Sequence, residues 1–212
     1  MLLACLVFVG SHVLISRTAL RPWLVRVLGL RSYLLAYSLL SVVLLGWVVY
    51  ELLRAPRQVF WISPDWAAGF ALFTSAVGFA LLGLGAALPN ARSISLRPVL
   101  AGQPTAPVLR VVRHPLIYGF GLWGLAHVPA NGEWPTLALF GGTVVFALIG
   151  ARAVSRRMDA AAVENAHGNG TNRSFGSLTV LGAAAGLFLW GLALIAHPWV
   201  TGVDPLTVWA GH

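Results

Sequence analysis

The sequence predicts an all-α integral membrane protein: a bundle of about six transmembrane helices, both termini outside, forming a single transmembrane domain over residues 1–212. Three observations predict it. Apolar residues make up 58% of the chain and charged residues only 9%, against roughly 45–50% and about 25% in soluble globular domains. Long uncharged runs recur along the chain, and about 20 apolar residues span the hydrocarbon of a bilayer. The 14 basic residues, all arginine, sort to alternate sides of those runs, as the positive-inside bias of membrane proteins requires. The apolar composition and the single Cys5 exclude disorder and a disulfide framework. A net charge of +8 would point a soluble domain toward nucleic acid. Here helix orientation accounts for it, and the expected partners are membrane lipids, with no nucleic acid.

Six spans are expected, at 2–15, 34–50, 66–88, 116–128, 136–150 and 178–196. The second, third and sixth are long enough alone. The first and fourth are short and need flanking residues or a thinned bilayer. Backbone polar groups in lipid must be satisfied internally, which leaves helices or a closed barrel, and no period-two alternation supports a barrel. Arg17, Arg21, Arg26 and Arg31 fall between the first two spans, and Arg92, Arg97, Arg110 and Arg113 between the third and fourth. Arg152, Arg156, Arg157 and Arg173 follow the fifth, leaving Arg54 and Arg57 alone on the opposite side. That division orients six spans with both termini outside. The first run lacks a basic leader and a small-x-small cleavage site, so it reads as a retained helix. Trp61, Trp66, Trp134, Trp199 and Trp209 mark the outer interface, and residues 164–177 read as a flexible inner loop.

An imidazole inside a lipid-exposed helix is costly, so His12 in the first span and His127 in the fourth should point inward and find partners. A hydrogen bond to a hydroxyl or carbonyl of a neighbouring helix is one reading; ligation of a haem iron is the other. Arg113-His114-Pro115 opens the fourth span, with Pro115 at the first helical position. It reads either as a well-built helix start or, with Arg110, as a small anion site. Gly119, Gly121 and Gly124 permit close helix packing, and Gly124 with Trp123, one turn below His127, also fits a flat slot for a planar cofactor. His197, beside Pro198 and Trp199, reads as an interfacial anchor, although by depth it pairs better with His127 than His12 does. His12 pairs better with His114 on the same ground.

Two blocks carry a resemblance. Ser11-His12-Val13-Leu14-Ile15-Ser16-Arg17 with Leu20-Arg21 resembles the opening of the NnrU family of bacterial membrane proteins. Val111-Val112-Arg113-His114-Pro115, running into Trp123-Gly124-Leu125-Ala126-His127 and Ala130-Asn131-Gly132, resembles that family's central block. The resemblance extends over roughly 1–160. It implies a multi-pass protein of the bacterial cytoplasmic (inner) membrane, linked to nitrite and nitric oxide reduction in denitrification, with respiratory or denitrification proteins as partners. The family is similar to the 15-cis-zeta-carotene isomerases, which use haem b. That similarity implies His12 and His127 as iron ligands, with Arg17, Arg113, His114, Trp123 and Gly124 around the cofactor. The isomerases carry Cys where this chain has Gly124, so a mechanism using that thiolate is closed here. Two other readings stand beside this one. Arg113-His114-Pro115 with Tyr118 and Gly119 resembles membrane methyltransferases using S-adenosylmethionine, whose paired Glu segment is replaced here by Arg156-Arg157-Met158-Asp159. A cofactor-free scaffold or assembly factor would need both histidines only as structural groups.

Overall fold

The computed structural model describes residues 1–90, 93–94, 96–97, 105–162 and 174–211, without side-chain detail at 16–17, 30–31, 157–162 and 174. Each of the six apolar runs is one helix: α1 (Leu2–Arg17), α3 (Leu30–Arg54), α4 (Trp66–Ala87), α6 (Pro115–Ala130), α7 (Trp134–Ala162) and α8 (Ser174–Thr201). Three shorter helices were not expected: α2 (Leu20–Leu28), α5 (Val108–Val111) and α9 (Pro205–Ala210). Among the described residues the one strand-like feature is an isolated bridge between Val59 and Glu133. The 164–177 loop lies largely outside the described residues.

Length revises the span count. Four helices are long and apolar enough to cross a membrane, over Ser32–Arg54, Trp66–Ala87, Trp134–Arg156 and Phe175–Thr201. A fifth span arises only if α1 and α2, bent 76° apart, count as one. By this criterion the chain offers four or five spans where the apolar runs suggested six. The reason is physical: α1 and α6 have 16 residues each, about 24 Å of helix against a hydrocarbon layer of about 30 Å. Pro129 stands inside the last turn of α6, and the chain leaves the helix at Asn131.

The chain builds two compact units. The first comprises Met1–Phe60 and Glu133–Leu139. In it α1 packs on α3, while most of α3 stays uncovered, with Leu35, Val42 and Val43 among its exposed side chains. Such a surface suits lipid rather than water. Gly29, at φ +76°, turns the chain from α2 into α3, a conformation that glycine adopts without a Cβ clash. In α2, Arg21 and Arg26 flank one side and Trp23, Leu24 and Val27 lie on the other, a pattern suited to a membrane surface. The loop after α3 is tied to the start of α7. Trp134 N–H donates to the Gln58 carbonyl at 2.9 Å, and Arg57 pairs with Glu133 at 3.5 Å.

The second unit comprises Trp61–Gly132 and Phe140–His212. Helix α4 packs against both α6 and α8. Small residues set the approach: a Cβ on Gly119 would lie 2.7 Å from the Gly78 carbonyl oxygen, and one on Gly83 would collide with the backbone of Gly182. With backbones this close, dispersion and interhelical polar contacts hold the helices together. One such contact is the Trp190 Nε1–H bond to Ser75 Oγ, 3.0 Å, between α8 and α4. At one end Leu84, Leu88, Leu109 and Phe175 form a core cluster. Ile117 packs with Ala147 and Ala151 between α6 and α7.

Candidate functional site

The described histidines fall into two kinds according to what their ring nitrogens meet. On α1, His12 Nδ1 lies 2.7 Å from the Phe8 carbonyl oxygen, one turn back. A carbonyl only accepts, so Nδ1 carries the proton and Nε2 of the neutral ring is the acceptor. Ser41 Oγ of α3 lies 3.2 Å from that nitrogen and donates its one proton to the Tyr37 carbonyl at 2.8 Å. Phe8 and Tyr37 flank the ring, with centroids at 4.5 and 5.3 Å. His12 thus has a polar neighbour at each ring nitrogen within the first unit.

His114 is engaged as well. It precedes Pro115 at the start of α6 and is fully buried. Nδ1 lies 2.8 Å from Ser93 Oγ and Nε2 lies 2.7 Å from Ser155 Oγ of α7. One ring nitrogen donates and the other accepts, so the imidazole links two hydroxyls. Asn90 Nδ2 donates to the Arg113 carbonyl at 3.0 Å. This end of the second unit is thus closed by hydrogen bonds around the Arg-His-Pro segment. Helix α6 runs unbroken from Pro115 to Ala130, which puts His114 and His127 about 20 Å apart along it. The residues that the resemblance gathers around one cofactor therefore divide, with Arg113 and His114 at one end and Trp123, Gly124 and His127 toward the other. The Arg17 side chain lies outside the described residues, as do His167 and His212.

His127 and His197 are different. His127 Nδ1–H donates to the Trp123 carbonyl, 2.7 Å away and one turn back on α6. Its ring stacks on Phe140 at 4.4 Å between centroids, and Trp123 stands 5.2 Å away. Asn131 Nδ2 donates to the His127 carbonyl at 2.8 Å, fixing the helix end. His197 Nδ1–H, near the end of α8, donates to the Val203 carbonyl at 2.8 Å, and Thr201 Oγ1 lies 3.0 Å from the same nitrogen. Among the described residues neither Nε2 has a hydrogen-bond partner. The two rings lie 6.4 Å apart between centroids, with an interplanar angle of 23°.

Gly124 has a plain structural cause. A Cβ there would stand 2.8 Å from the Phe140 carbonyl oxygen and 3.1 Å from Thr143 Cβ, so the glycine lets α6 approach α7. That contact takes up the space read from sequence as a flat slot. No group of three or more His, Cys, Asp or Glu side chains suited to a metal ion occurs among the described residues. A metal in the second unit would therefore draw on a pair of imidazoles, or on a cofactor that brings its own ligands. Sequence reasoning placed His197 as an interfacial anchor and, by depth, as an alternative partner of His127. Its one signal was depth, since α6 and α8 both run away from the arginine-rich loops toward the same end.

No curated protein and no solved structure matches the chain. The family comparison does match: the NnrU protein family covers residues 1–205. The match extends beyond the 1–160 stretch that the quoted motifs suggested, through all of α8 and its histidine. The chain belongs to the NnrU family.

Proposed function

We propose that this NnrU protein is a haem b-binding protein of the bacterial inner membrane that serves nitrogen-oxide respiration, with His127 as an iron ligand. The observation that carries the reading is the state of the His127 ring. Its Nδ1–H is held on a backbone carbonyl at 2.7 Å, which fixes the tautomer and ring orientation and leaves Nε2 as the electron-pair donor. Metal-bound histidines are held in this way through their second nitrogen. Phe140 and Trp123 surround the ring with apolar aromatic groups. The donor set fits haem better than a bare ion, because haem brings four nitrogens and asks the protein for only one or two. A haem held by two imidazoles supplies one-electron transfer and offers no open position to small molecules. The nitrogen-oxide role rests on family membership.

The methyltransferase and scaffold readings lack a comparable observation. The histidine of the Arg-His-Pro segment is buried with both nitrogens bonded, so it offers nothing to a second substrate. In orientation, the arginine-rich loops face the cytoplasm. A reporter within 164–172 should then read as cytoplasmic and one after 212 as periplasmic; both on one side would overturn that placement. Haem binding is tested by titrating ferric haem into the detergent-purified full chain. A sharp, saturable Soret band is expected, lost or strongly weakened in His127→Ala. A flat titration with wild-type protein would overturn the haem reading and leave the scaffold.

A further inference from the structure

Resting on the haem reading, the geometry points to His197 as the ligand opposite His127. The resemblance alone implies His12, and the nitrogen inventory separates the two. Within the first unit His12 Nε2 already has a polar neighbour, Ser41 Oγ at 3.2 Å, whose own proton goes to the Tyr37 carbonyl. His197 Nε2 has no hydrogen-bond partner among the described residues, and its ring is already beside His127.

The separation carries further information. Two imidazoles on opposite sides of one metal, each at about 2.0–2.1 Å, put their ring centres roughly 6.4 Å apart; a tetrahedral angle would close that to about 5.2 Å. The observed 6.4 Å between centroids equals the opposed spacing and exceeds the tetrahedral one. A structural zinc would also need further ligands, and no cluster of three or more ligating side chains exists among the described residues.

The end of α8 is built to hold the second ring. Pro198 follows His197 within the helix and lacks a backbone N–H. Four residues on, Gly202 N–H donates to the Pro198 carbonyl at 2.9 Å, and Gly202 takes φ +77°. That left-handed turn swings the Val203 carbonyl back to Nδ1 of His197. The result repeats at His197 what α6 does at His127: Nδ1–H on a backbone carbonyl, Nε2 left as donor. Both rings are half-buried.

The test uses the full chain titrated with ferric haem and read by absorption and electron paramagnetic resonance. Wild-type protein should give a six-coordinate low-spin signature. His197→Ala should convert it to high spin and weaken haem binding at least about tenfold, and added imidazole should restore the low-spin signal, which a misfolded variant would not allow. His12→Ala should keep the wild-type spectrum. A low-spin spectrum retained in His197→Ala and lost in His12→Ala would overturn the assignment, as would a high-spin His197→Ala that imidazole leaves unchanged. Wild-type protein that takes up no haem would instead sink the underlying haem reading, and the assignment with it.

Discussion

His12 in the first unit and His127 in the second meet the same problem and solve half of it identically. Each sits in an apolar helix, and each places Nδ1–H on the carbonyl one turn back, at 2.7 Å in both. They part at Nε2. A serine from the packed neighbour reaches His12, whereas His127 is met by aromatic faces and a second histidine. Position in a span and helical register therefore do not tell a structural histidine from a ligand. What tells them apart is the second nitrogen, which has a hydroxyl beside it in His12 and no hydrogen-bond partner among the described residues in His127.

The comparison can be broken first at His114, the most completely bonded of the four. Removing its ring leaves the hydroxyls of Ser93 and Ser155 without their shared partner in a fully buried place. His114→Ala should cost about 3 kcal/mol from the cavity and the stranded polar groups. Thermal unfolding of the haem-free protein in detergent would show it, while the haem spectrum of the folded fraction stays low-spin. Wild-type stability combined with loss of haem would make His114 a ligand and reverse the contrast drawn between the two kinds of histidine.

Gly124 separates packing from cofactor room more finely. Its Cβ would meet backbone at 2.8 Å, whereas one on Gly141 would meet nothing within 4 Å. Gly124→Ala should therefore destabilise the haem-free protein by about 1–3 kcal/mol, whereas Gly141→Ala, free of any clash inside α7, should leave it unchanged or stabilise it by up to about 1 kcal/mol. Equal haem-free stabilities with haem uptake impaired only in Gly124→Ala would restore the slot.

How far these features were legible in the sequence depends on the range of the contact. All six apolar runs became helices, because hydropathy is a local property and lipid leaves the backbone no other hydrogen-bonded option. The short α2 was hidden among the arginines, since nine residues alternating Arg21 and Arg26 with apolar side chains read as a charged connection. His12 and His127 could be singled out as costly groups, but their partners could not. Ser41 lies 29 residues from His12, and Ser155 lies 41 residues from His114; no spacing rule links them. Gly124 looked like space because a glycine is visible in sequence and the carbonyl it faces is not. His197 was assigned to the interface on the strength of its Pro-Trp neighbours, while the turn through Gly202 that fixes its ring depends on one backbone angle.

The smallest expected effect sharpens the comparison most. Ser41→Ala removes the hydroxyl beside His12 Nε2 and leaves the ring otherwise in place, held by Phe8 and flanked by Tyr37. A single interhelical hydrogen bond in a membrane protein contributes about 0.6 kcal/mol on average, so the melting temperature should fall by only about 1–3 °C. Haem affinity and spin state should not move, because freeing a nitrogen does not create a second imidazole opposite it. If Ser41→Ala strengthens haem binding, or alters the low-spin signal, then His12 competes for the iron and Ser41 is what holds it back. In that event the serine, rather than the fold of the first unit, would be the barrier between a structural histidine and a ligand.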